Sequence, residues 1–153
     1  MAEPAHPLHA EPLPWLLERT QSVVLDELHA RLEAAGFDGL RVLRHGRVFR
    51  FIEAEGSRAQ DLAIRTGLAK QTIAEVIEQL IALGYAERGP DPFDRRAKLV
   101  CLTERGIAAQ RLASSALREI EGLWEERFGA DEYRAFLSVL GTIASDPLTA
   151  RAN

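Results

Sequence analysis

Residues 57–106 read SRAQDLAIRTGLAKQTIAEVIEQLIALGYAERGPDPFDRRAKLVCLTERG, and the hydrophobic period changes twice along them. From Lys70 to Leu83 the apolar residues Ile73, Val76, Ile77, Leu80, Ile81 and Leu83 recur at helical steps. They form one stripe of an amphipathic helix. Lys70, Gln71, Thr72, Ala74, Glu75, Glu78 and Gln79 fill its opposite, polar side. The stretch Ser57 to Arg65 reads as a shorter helix, with Ser57 as its N-cap and Leu62 plus Ile64 or Ala59 as its apolar face. Gly67 lies between the two helices, where a left-handed turn residue is needed. Gly84 ends the second helix. Tyr85–Arg88 and Lys98–Leu102 then read as two short strands around a turn-rich tip, Gly89 to Arg96, that closes on two arginines. Thr103 caps the next helix. A helix-turn-helix followed by a basic-tipped hairpin is a winged helix.

The run Leu83-Gly84-Tyr85-Ala86-Glu87-Arg88, followed by Asp91-Pro92-Phe93-Asp94-Arg95-Arg96-Ala97-Lys98-Leu99-Val100-Cys101-Leu102-Thr103-Glu104-Arg105-Gly106, resembles the wing of the MarR family of bacterial transcription regulators. At motif level the resemblance covers about a third of the chain; the helix order fits over nearly all of it. It implies a mainly α fold with a small β-hairpin wing, and a helical dimerisation domain drawn from both chain ends. It also implies a two-fold dimer that binds a palindromic operator and is released by a small effector, often aromatic or anionic. The expected organisation is a flexible arm at 1–10, helical dimerisation segments at 11–36 and 104–146, a DNA-binding winged helix-turn-helix at 37–103 and a flexible tail at 147–153.

Composition sets the outer bounds. The 153 residues are enough for one domain with a substantial core, and 46% apolar with 27% charged residues is ordinary for a soluble globular protein. No apolar run is long enough for a membrane span, and the N-terminus lacks the pattern of a secretory signal. The single cysteine leaves no internal disulfide, so a cytoplasmic location is the expectation. Residues 57–106 hold eight basic and seven acidic residues, a net of +1 against a whole-chain charge of −4, which leaves −5 for the remainder. The segment 41–70 carries +4, from seven basic and three acidic residues. Modest, steeply salt-dependent non-specific affinity for nucleic acid is expected of that distribution.

The flanking segments read as helices. Leu13, Leu16, Leu17, Val23, Val24, Leu28 and Leu32 pattern a helix over about 13–34, closed by Gly36. Trp15 near its start suits a subunit interface. A second helix is expected over 39–54, with Val42, His45, Val48, Phe49 and Ile52 on one face and Arg41, Arg44, Arg47 and Arg50 spread over half its circumference. A long helix follows from Glu104 to about Phe128. Gly129-Ala130-Asp131 breaks it, Asp131 is the candidate cap of the last helix, and Asp146-Pro147 is its end. His6 and His9 in the arm lack a third ligand, so no metal site and no cofactor are expected.

The candidate DNA contacts follow from docking geometry. The N-terminal residues of the second helix of such a motif meet base edges in the major groove. Here those are Lys70 for phosphate, Gln71 for a paired contact to adenine, Thr72, Ala74 and Glu75. Glu75 departs from the family's usual basic residue; it accepts from a cytosine amino group, pairs with a neighbouring base of the protein, or simply solvates the face with Gln79. By the resemblance, Asp94, Arg95 and Arg96 belong to a minor-groove contact: one arginine enters, Arg95 in preference, and the aspartate orients an arginine. Ser57 and Arg58, at a helix N-terminus, are candidates for phosphate. Trp15, Arg44 and His45 are the candidate effector residues, with a core or interface histidine as the plainer reading of His45. Cys101 reads as a buried, inert thiol. A winged-helix protein-interaction module without specific DNA binding is the alternative function. An enzyme is not supported: G-x-S-x-G, a Gly-rich phosphate loop, H-E-x-x-H and a cysteine–histidine cluster are all missing.

Overall fold

Ile73, Val76, Ile77 and Leu80, the stripe read from the sequence, are all 3% exposed or less in the computed structural model, which describes residues 11–94 and 96–145. The expected arm, with His6 and His9, Arg95, Asp146-Pro147 and the tail 147–153 lie outside the described residues. The helices are α1 (Leu13–Ala34), α2 (Val42–Phe49), α3 (Ala59–Thr66), α4 (Lys70–Ala82), α5 (Glu104–Phe128) and α6 (Ala130–Ser145). The antiparallel strands β1 (Ala86–Pro90) and β2 (Lys98–Leu102) lie between α4 and α5. This is the mainly helical winged fold that the sequence implies. The chain divides into two compact units, Met1–Ser114 and Ser115–Asn153.

In the first unit α4 packs on both α2 and α3. Its end is built from sequence. The N–H of Gly84 bonds Ile81 O and the N–H of Tyr85 bonds Leu80 O, each at 2.9 Å, with Gly84 at φ +77°. Those two bonds satisfy carbonyls that the helix leaves open, and they require a left-handed residue where glycine stands. Gly67 likewise takes φ +67° between α3 and α4.

Tyr85, fully buried, joins three segments. Its hydroxyl donates to Asp38 O at 2.9 Å and accepts from Arg105 at 3.1 Å, and its carbonyl accepts from the Thr103 N–H at 3.2 Å. Thr103 caps α5 as expected: its Oγ1 accepts from the Gly106 N–H at 3.1 Å. Gly106 itself presses on the Tyr85 carbonyl, where a Cβ would collide with backbone. The final glycine of the wing motif is thus a packing requirement. Gln110 of α5 donates to Phe49 O and Ile52 O, both at 3.1 Å, and so covers the open end of α2.

Several local expectations are corrected. The helix expected over 39–54 is only α2, Val42–Phe49; Ile52 is buried from the loop after it. Ser57 is not the cap of α3. Arg58 holds that position, and Ser57 instead pairs with Val100 across the edge of β2, N–H to carbonyl in both directions at 2.9 and 2.8 Å. Ile64 is 72% exposed, so Leu62 alone anchors α3. β1 runs from Ala86 to Pro90 rather than from Tyr85 to Arg88, since Tyr85 is used in the core. Asp131 lies inside α6, paired with Arg134 at 3.0 Å, and Gly129 precedes that helix. Cys101 is half-buried rather than buried; Val100 and Leu102 are the β2 residues that face the core.

The second unit has a small core of its own. Tyr133 is buried, with Trp124 edge-on at 6.3 Å and Phe136 at 6.3 Å. Burial, and then Glu121 and Glu125, raise the Tyr133 phenol above its ordinary pKa. Four other large apolar residues of α6 stay open, Phe136, Leu137, Val139 and Ile143 at 44–58% exposed, while Leu140 is half-buried. Among the described residues, no helix is long and apolar enough to cross a membrane.

Candidate nucleic-acid interface

Because α4 buries only one stripe, its first turns present Lys70, Gln71, Thr72, Ala74 and Glu75 to solvent together. Gln71 Nε2 donates to Glu75 Oε1 at 3.3 Å, one helical turn apart. Glu75 therefore neither pairs with a basic side chain among the described residues nor stands alone. It holds the amide of Gln71 so that the amide oxygen points away from it. The acid that does pair with a base is Glu78, with Arg88 of β1. Gln79, read as part of the polar face, is turned inward: its Oε1 lies 3.0 Å from Nε2 of His45.

The wing is held by two aspartates in different ways. Asp94 Oδ1 accepts the Arg96 N–H at 2.9 Å, and Asp94 O accepts the Ala97 N–H at 2.9 Å. Asp94 thus shapes the backbone beneath Arg96, and among the described residues it orients no guanidinium. That task falls to Asp91, which the sequence reading did not single out. Asp91 is buried at the base of the wing, where its Oδ2 accepts Nε and a terminal nitrogen of Arg58, both at 2.6 Å. Its Oδ1 accepts the Phe93 N–H at 2.9 Å. The Phe93 N–H and then Arg58, working against burial, hold the Asp91 carboxyl below the usual aspartate range.

Arg58 is accordingly engaged with the wing rather than free, and the N–H of Ser57 is bonded to Val100. The Ser57 N–H is therefore closed to the phosphate contact expected of it, while at Arg58 it is the guanidinium that is taken. Exposed Arg96 and Lys98 leave the hairpin tip cationic.

A second feature lies on the other side of α4. A hollow of about 330 Å³ is lined by Arg41, Arg44, His45, Gln79, Ala82 and Leu83, with Gly39 at its edge. His45 is 4% exposed. Its Nδ1 accepts the Arg41 N–H at 3.0 Å, so the proton resides on Nε2, which donates to Gln79. Burial lowers the His45 pKa; the Gln79 bond opposes the shift, and Arg44 and Arg41 add to it. Arg44 and His45 are thus brought to one hollow. Trp15, 59% exposed near the start of α1, does not line it. Among the described residues no cluster of three or more metal-ligating side chains forms.

A family model of the MarR family matches residues 39–97. Among solved structures, the transcriptional repressor CouR bound to a 23-mer DNA duplex is similar at 26% identity and TM-score 0.68, over 88% of this chain and 94% of that one. CouR from Rhodococcus jostii RHA1 bound to p-coumaroyl-CoA is similar at 27% identity and TM-score 0.67, over 91% and 96%. A MarR-family transcriptional regulator from Rhodococcus sp. RHA1 is similar at 28% identity and TM-score 0.64, over 86% and 91%. No curated protein sequence matches significantly.

Proposed function

We propose that the chain is a transcription regulator of the MarR family rather than an enzyme, a cytoplasmic, dimeric, operator-binding repressor released by a small anionic or aromatic effector. The observation that carries the DNA reading is the free polar face of α4 beside a cationic wing. Lys70, Gln71, Thr72, Ala74 and Glu75 enter the major groove. Arg95 and Arg96 approach the minor groove, where a narrow groove concentrates negative potential. Ser57 and Arg58 set the wing base against α3.

The dimer reading rests on exposed apolar side chains at both ends of the chain. Leu13, Trp15, Leu16 and Leu17 of α1 are 38–59% exposed, and α6 shows its own open stripe. Surfaces of this kind mark association. A two-fold dimer sets two recognition helices roughly 34–36 Å apart, one turn of duplex, and so predicts a palindromic site. Trp15 is assigned to this interface rather than to the effector.

The effector reading rests on the hollow at α2. Two arginines without ion-pair partners among the described residues, Arg41 and Arg44, stand beside a neutral imidazole that is bonded to α4. An anion there meets cationic donors and one hydrogen-bond link to the recognition helix. The CouR complex with p-coumaroyl-CoA is support by likeness.

The test is fluorescence anisotropy of the purified protein with duplex from directly upstream of its own coding sequence, over a salt series. Tight binding that outcompetes random duplex and falls steeply with salt is expected. Weak binding equal for every sequence would favour a protein-interaction module instead.

A further inference from the structure

Phe93 is 93% exposed, the most open of the large apolar side chains described. A single exposed apolar residue is ordinary, but the backbone beneath this one is fastened. Its N–H is bonded to Asp91 Oδ1 at 2.9 Å, and the same carboxylate is gripped by Arg58 through two 2.6 Å contacts. On the other side, Asp94 closes the tip through the Arg96 and Ala97 N–H groups. The ring therefore stands on a fixed platform. The hairpin directs it outward even though a hollow of about 480 Å³, which Phe93 helps to line with Leu62 and Leu99, lies beside it. Its exposed charged neighbours along the tip are Asp94, Arg96 and Lys98.

An apolar ring carried on a pinned turn, with two cations against one acid exposed along the same tip, fits one surface well. The minor groove has anionic rims, which the cations meet, and walls of deoxyribose, which are apolar. Phenylalanine is among the side chains that proteins wedge there. We infer that Phe93 is a DNA-contacting residue that packs its ring against the deoxyribose walls of the minor groove while Arg96 and Lys98 meet the phosphates. This inference rests on the DNA reading of the wing proposed above. It adds an apolar, shape-reading contact to a tip otherwise understood through its charges.

The experiment uses the full chain and a duplex that the wild-type protein selects from a randomised pool. Phe93→Ala should lose about tenfold in affinity, with an unchanged thermal midpoint, and Phe93→Leu should retain most of the binding. The slope of log affinity against log salt should be the same for Phe93→Ala as for wild type, because a neutral side chain displaces no counterions. A shallower slope would mean that the substitution acts by misplacing the arginines, and would overturn the inference. So would Phe93→Ala affinity within twofold of wild type. If the wild type selects no duplex at all, the DNA reading itself fails and the inference goes with it.

Discussion

Helices α4 and α6 have similar sequence patterns and opposite fates. Each carries a regular apolar stripe, Ile73, Val76, Ile77 and Leu80 in one and Phe136, Leu137, Leu140 and Ile143 in the other. The first stripe is closed to solvent by α2, α3 and β1, which leaves the polar face of α4 free to act outward. Much of the second stays open, and only Tyr133 of α6 is buried. An amphipathic helix states that one face must be covered, but not by what. In α4 the cover is the same chain; in α6 we propose that it is a second copy.

Substitutions on the two stripes should separate these cases. Leu80→Ala removes a fully buried side chain and should cost about 2–5 kcal/mol of unfolding free energy, read by urea denaturation. Leu137→Ala should cost far less by that measure. If both cost the same at every protein concentration, the contrast is wrong. Leu137→Asp tests the proposed seam directly. Sedimentation should show a monomer, and operator affinity should drop about 100-fold or more as avidity is lost; a stable dimer would remove α6 from the interface.

The outward face of α4 is expected to respond in binding rather than in stability. Gln71→Ala should relax one base position by about 1–3 kcal/mol. Site selection that returns an unchanged consensus would refute this. Its inward face couples to pH through His45, whose folded-state pKa is lowered from 6.5. The unfolded chain then binds the proton more readily, so stability is complete above about 6.5 and falls as pH drops below it. The slope should reach at most about 1.4 kcal/mol per pH unit. Denaturation midpoints from pH 7.5 to 5 should show the loss in wild type and not in His45→Gln. Glu75→Ala is the mildest change: freeing the Gln71 amide should broaden preference at the same base position with little change in stability, as measured by binding to single-base variants of the site.

Much of this organisation was legible in the chain. The bounds of α1, α5 and β2, the start of α4, the turn at Gly67 and the Thr103 cap all depend on neighbours a few residues away, which period and side-chain type record directly. The candidate site was legible in part. Lys70, Gln71, Thr72, Ala74 and Glu75 share an exposed face because helical geometry alone puts them there. The Arg58–Asp91 clasp was not, since 33 residues separate its partners and nothing local to either announces the other. One signal was available: an aspartate at the start of a Pro-containing turn, where its side chain accepts the N–H two residues on.

The sequence by itself determined which segments are helical, which turns need glycine and which family the wing resembles, because local backbone preferences and hydrophobic period are properties of short stretches. Only the tertiary structure decided that Ser57 joins a sheet edge instead of capping a helix, and that Gln79 faces His45 instead of solvent. It also placed Arg44 and His45 at one hollow without Trp15. Each of these depends on which distant group reaches a side chain first, and a buried polar group takes the partner that packing supplies.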